Sequence, residues 1–109
     1  MSFRGSLLIE PLNRLNGAGG AAEINGHGVA GLILYNTGSQ IVAFDRCSSV
    51  NPEQRCAVKL DDPTLPATDP CSGSKFSLAD GGPVKAPAVR PLKQYQVIIT
   101  SGTNLEVIN

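Results

Sequence analysis

Breakers of regular structure are so dense in this chain that no long helix has room to form. Glycine and proline together fill 20 of the 109 positions, against a usual share of roughly 12%. Between them lie short apolar runs of strand length. Ala21–Ile24, residues 29–35 and residues 40–44 are separated by Asn25-Gly26-His27-Gly28 and by Asn36-Thr37-Gly38-Ser39, which is turn chemistry joining antiparallel strands. Near the C-terminus, Gln94–Thr100, the turn Ser101-Gly102-Thr103 and Asn104–Ile108 spell a hairpin. Tyr95, Val97 and Ile99 alternate there with Gln94, Gln96 and Ile98, the two-residue period of a strand with one buried face. Further strands are expected at residues 75–78 and at residues 6–10, where Pro11 stops the pattern from continuing as a helix. The expected fold is all-β, an antiparallel sandwich or barrel. It forms one domain over residues 1–109, in which residues 1–20 are an N-terminal strand and a glycine-rich connection.

Charge narrows the function classes. Nine Lys and Arg balance nine Asp and Glu, so the basic surplus of a protein that neutralises nucleic-acid phosphates is missing. The same balance disfavours binding to anionic membranes. No run approaches the roughly 18–20 apolar residues of a membrane span.

Residues 45–74 depart from the strand-and-turn rhythm. They hold all three cysteines, Cys47, Cys56 and Cys71, and four of the eight prolines. Thirty residues without periodicity inside a small domain point to functional loops, or to loops that need a staple. Three cysteines are read first as one bridge and one spare thiol. A zinc set of Cys47, Cys56 and Cys71 completed by Asp69 or His27 ranks below that reading, because no C-x-x-C pair is present. Cys47 follows Arg46, which could lower its pKa and make it a thiol sensor, but a buried or bridged cysteine is the preferred reading. The only candidate base, His27, sits in a distant turn and is read as an exposed turn residue. Asp45 and Arg46 are read as structural partners closing a strand. Asp61, Asp62 and Asp69 form an acidic cluster whose spacing matches no cation loop. Lys75, Lys85, Arg90 and Lys93 give the C-terminal half a basic, solvated side. Ser48, Ser49, Ser72 and Ser74 lack the partners of a hydrolase triad, and Gly17, Gly19 and Gly20 lack the Lys-Ser/Thr of a phosphate loop. No catalytic residue is assigned, and the chain is not expected to be an enzyme.

A family resemblance rests on the second half of the chain. Pro70-Cys71-Ser72-Gly73-Ser74-Lys75-Phe76, then Asp80-Gly81, Pro87-Ala88, Pro91-Leu92 and Tyr95-Gln96-Val97, resemble the second cluster box and closing hairpin of a Rieske domain. Val42-Ala43-Phe44 running into Cys47-Ser48-Ser49 is similar, more loosely, to its first box. The resemblance covers roughly residues 29–108 and implies a Rieske-like sandwich with two tip loops within residues 45–76. A Rieske [2Fe–2S] centre takes two thiolates on one iron and two imidazoles on the other. The four matching positions here are Cys47, Ser49, Asp69 and Ser72, so the resemblance implies degenerate boxes. No cofactor and no metal are expected, with 2Fe–2S as the alternative. The resemblance also implies a Cys56–Cys71 bridge between the tip loops, with Cys47–Cys56 as the rival pairing. A bridge in turn implies a location outside the cytoplasm, in a bacterial envelope, where related small domains often carry a lipid anchor on a preceding segment. The expected function is a structural or binding module with a protein partner. The alternative is a redox or metal-binding protein with a nonstandard site.

Overall fold

The structure, a computed structural model, describes residues 2–10, 12–60 and 66–108. Among these, ten strands follow in chain order: β1 Ser2–Ser6, β2 Ala21–Ile24, β3 Leu32–Asn36, β4 Ile41–Asp45, β5 Lys59–Leu60, β6 Ala67–Thr68, β7 Lys75–Phe76, β8 Pro83–Lys85, β9 Gln94–Thr100 and β10 Asn104–Ile108. Short 3₁₀ turns occur at Leu12–Leu15 and Pro52–Gln54. One sheet has the order β1-β10-β9-β4-β3-β2 and the other β5-β6-β7-β8. All the strand pairs are antiparallel. The chain is therefore all-β, as its turn density dictates.

Two cores share a wall made of β3 and β4. Leu32 and Leu34 of β3, with Ala43 of β4, face a core that also holds Leu12, Leu15, Tyr95, Leu105 and Val107. Ile33, Val42 and Phe44 face the opposite way, into a second core with Val58, Phe76, Leu78 and Leu92. Alternate side chains of a strand leave opposite faces, so a strand sandwiched between two cores must be apolar at every position. This is why residues 32–34 are an unbroken Leu-Ile-Leu, each fully buried. The small sheet covers the outer face of this wall. Gly81 lies flat on the Phe44 ring, where a Cβ would come within 2.6 Å of Cε1.

The first strand lies elsewhere than the sequence pattern suggests. It occupies Ser2–Ser6 and pairs with β10, Ser2 opposite Ile108, while residues 7–10 turn away. The Ser6 hydroxyl accepts the Leu8 amide, and Leu8 and Ile9 are largely exposed. An apolar run was thus spent on a turn, because a serine side chain competed for the backbone donor. The run at 29–35 likewise contributes a strand only from Leu32, since the amides of Val29 and Ala30 are claimed by a side chain described below. By contrast, β9, β10 and their turn keep the expected bounds, although Ile99, expected on the buried face with Tyr95 and Val97, is exposed near the end of its strand.

Candidate functional site at the tip

Two loops of similar composition meet beyond the small sheet. The first leaves β4 as Asp45-Arg46-Cys47-Ser48-Ser49, and the second leaves β6 as Asp69-Pro70-Cys71-Ser72-Gly73-Ser74. In each, the aspartate Oδ1 accepts the amide of the cysteine two residues on, at 2.8 Å in both loops. This is an Asx-type turn, and it fixes where each cysteine starts.

The first aspartate is the deeper anchor. Asp45 is buried, and its Oδ2 also accepts the Val29 amide at 2.7 Å and the Tyr95 hydroxyl at 2.6 Å, while Oδ1 accepts the Ala30 amide at 3.1 Å. Gly28 passes so close that a Cβ there would come within 2.5 Å of Asp45 Oδ2 and 2.9 Å of the Tyr95 hydroxyl oxygen. Its φ of +66° also favours glycine. Arg46 does not pair with Asp45. Its buried guanidinium donates to Val58 O at 2.9 Å and Asn25 Oδ1 at 2.9 Å, with Glu23 at 3.9 Å. Both residues are structural, each in a different direction.

The second aspartate is held mainly by hydroxyls. Asp69 is fully buried, and its Oδ2 accepts Ser72 Oγ from its own loop and Ser48 Oγ from the first loop, both at 2.7 Å. Burial raises its pKa, but the hydrogen bonds from Ser72, Ser48 and the amides of Cys71 and Ser72 outweigh that and hold it below the usual carboxylate value. Among the described residues no cation pairs with it. The loops are further joined by the Cys56–Cys71 disulfide, with Cα atoms 6.4 Å apart, and the first loop turns back on itself through Ser48 N to Cys56 O at 2.9 Å. Of the two pairings that the sequence left open, the structure has Cys56–Cys71.

Cys47 is the free thiol, and it is not activated. Burial and the neighbouring charge of Asp45 push its pKa up, Asp69 adds to this, and only Arg55 opposes them. The sensor reading therefore needs correcting: Arg46 points the other way, and the thiol lies near the carbonyls of Pro52 at 3.4 Å and Ser48 at 3.7 Å. Beside it opens a cavity of about 320 Å³ lined by Val29, Pro52, Arg90, Pro91 and Lys93 among others. Tyr95 is likewise raised, by burial first and then by its hydrogen bond to Asp45.

The remaining candidates separate from the tip. Of the four ligand positions, Asp69 and Ser72 meet, whereas Ser49 Oγ donates to Arg90 O at 2.6 Å and Cys47 faces its own loop. His27 is half-buried rather than exposed, its ring edge-on to Phe3 at 4.9 Å. It lines a cavity of about 470 Å³ with Phe3, Ile9 and Leu12, a different pocket from that beside Cys47. Lys75 donates to Thr68 Oγ1 and Lys93 lies over the Tyr95 ring, so half of the basic side is engaged in the fold. Asp61 and Asp62 lie outside the described residues. Sequence reasoning missed the Ser48–Asp69 and Tyr95–Asp45 links. The repeated Asp-x-Cys-Ser was the available signal.

No protein-family model matches the chain, and no curated protein matches it in sequence. Solved structures do match in shape. The ferredoxin of carbazole 1,9a-dioxygenase from Nocardioides aromaticivorans IC177 superposes with a TM-score of 0.63 at 16% identity, covering 100% of this chain and 99% of its own. A complex of reduced oxygenase and oxidized ferredoxin in carbazole 1,9a-dioxygenase gives 0.60 at 24% identity, over 84% of this chain and 82% of the other. The Sphingomonas yanoikuyae B1 ferredoxin gives 0.59 at 20%, over 84% and 87%. The fold is Rieske-like.

These neighbours correct the expectation that the chain takes no cofactor, because they are ferredoxins, iron–sulfur electron carriers. The donors present nevertheless do not fit a centre of two thiolates and two imidazoles. One thiol, one carboxylate and two hydroxyls stand at the four positions. The carboxylate and both hydroxyls are already engaged within the loops.

Proposed function

We propose that the chain is a redox protein of the ferredoxin kind that works with a protein partner, and that its centre sits at the tip on a nonstandard donor set. The observation that carries this reading is the position of the Cys56–Cys71 pair, which joins the two tip loops of a scaffold congruent with ferredoxins along its whole length. The pair itself takes up two electrons and two protons to become two thiols. Cys71 is exposed, so a docked donor or acceptor reaches it. The half-buried Cys56 and the buried Asp69 keep the other side of the pair anchored. One solved neighbour is an oxidized ferredoxin in complex with a reduced oxygenase, which supports a protein as the partner.

Anaerobic potentiometric titration of the whole chain tests this, with iron and sulfide determined on the same sample to identify any bound cofactor. Structural disulfides of exported proteins lie below about −300 mV. The expected result is reversible uptake with a midpoint above that value, lost in the C56A/C71A variant. No uptake above that value would overturn the reading, and uptake that survives in the variant would remove this pair as the centre.

A further inference from the structure

The donors around the bridge suggest what its reduced form holds. One Sγ each from Cys56 and Cys71 and one carboxylate oxygen of Asp69 all lie within 4.8 Å of one another. We propose that reduction converts the tip into a site for one divalent cation of the zinc class, held by Cys56, Cys71 and Asp69, with a fourth position open to water or a partner's ligand. This rests on the redox reading above and names the ligand class of its reduced state.

Bonded to each other, the two sulfurs are poor metal donors. Two electrons and two protons cleave the S–S bond into two thiols, and a cation that binds them as thiolates displaces those two protons. A trialkylphosphine supplies the electrons, becoming the phosphine oxide with an oxygen from water. Two thiolates and a carboxylate are the sulfur and oxygen donors that zinc accepts, and sulfurs at 2.3 Å from a tetrahedral ion lie about 3.8 Å apart. Cleavage frees the two sulfurs to separate to that spacing while Asp69 stays within reach of both. Asp69 adds the electrostatic argument. It is buried and without a cation among the described residues, and two of its partners are serine hydroxyls that can turn aside. Three negative donors then face one doubly charged ion. The set differs from the three-cysteine one weighed from the sequence, because Cys47 is turned toward Pro52 O.

The test is an anaerobic Co²⁺ titration of the whole chain, oxidised and phosphine-reduced. The expected result is one Co²⁺ per reduced chain, with thiolate-to-cobalt charge-transfer absorption that Zn²⁺ abolishes, and no such absorption from the oxidised chain. Asp69→Asn should weaken Co²⁺ binding at least about tenfold, and Cys47→Ala should leave it unchanged. A reduced wild-type chain that binds no Co²⁺ overturns the proposal even if Asp69→Asn fails to fold. Absorption that disappears in Cys47→Ala overturns it too, by moving the site. If the two-electron uptake is normal while Co²⁺ is refused, the metal site alone is lost. If uptake is absent, the redox reading fails instead.

Discussion

The two Asp-x-Cys-Ser loops start alike and end differently. Three of the four donors to Asp45 are backbone amides, and the fourth is the phenol of a buried tyrosine. The amides cannot turn elsewhere, and burial holds the phenol ring in place. Asp69 relies on two serine hydroxyls, which rotate, and on amides of its own loop. The first carboxylate therefore builds the tip, and the second is available to it. The cysteines follow the same division. Cys47 is a quiet thiol whose pKa is raised, while Cys71 is exposed and bridged. Near-identical local sequence thus yields one loop locked by backbone donors and one held by rotatable hydroxyls, and what decides between them is the partner supplied from elsewhere in the fold.

The largest expected effect tests that division directly. Asp45→Ala should cost about 3–5 kcal/mol, because buried donors lose a charged acceptor at once. Asp69→Ala should cost about 2–3 kcal/mol, because its hydroxyl donors find other acceptors. Urea midpoints measure both, and equal losses would erase the distinction. Removing the bridge in C56A/C71A should cost about 3 kcal/mol by loop-closure entropy, whereas Cys47→Ala should cost under about 1 kcal/mol. A larger loss at Cys47 would make it part of the framework. Next come the supports of Asp45. Tyr95→Phe should cost about 1.5–3 kcal/mol, the value of a hydrogen bond to a charged group. Gly28→Ala should cost about 1–3 kcal/mol through strain and the Asp45 contact, and thermal melts read both.

The smallest effect is pH-dependent. The folded pKa of Asp69 lies below its ordinary 3.8, so its ionised form stabilises the fold above that value. The contribution fades as pH falls through the lower folded pKa. Wild type should therefore lose stability between pH 4 and more acid values faster than Asp69→Asn does. Parallel acid titrations of the two proteins would contradict the hydroxyl-stabilised carboxylate.

What the sequence revealed follows from the distance over which each feature is determined. The β9–β10 hairpin was readable because Gln94–Thr100 alternates and Ser101-Gly102-Thr103 turns within a few residues. Residues 29–31 looked like strand until Asp45, sixteen and fifteen positions away, took the amides of Val29 and Ala30. The Ser48–Asp69 link spans 21 residues and the Tyr95–Asp45 link 50, and no local period signals either. The family resemblance identified the fold and the bridge between tip loops. The absence of histidine from the boxes led to the expectation of no cofactor, which the ferredoxin neighbours overturn. Box residues and scaffold are separate signals, and here the scaffold was the more legible of the two.

The shared wall of β3 and β4 has a mechanical consequence. Ile33 and Phe44 are wedged into the core beneath the small sheet, while Leu32 and Leu34 are gripped on the opposite side. The apex is bolted to the body and cannot rock as a separate flap. A strain applied at the apex is therefore passed into both cores, and loosening either core should loosen the tip loops with it.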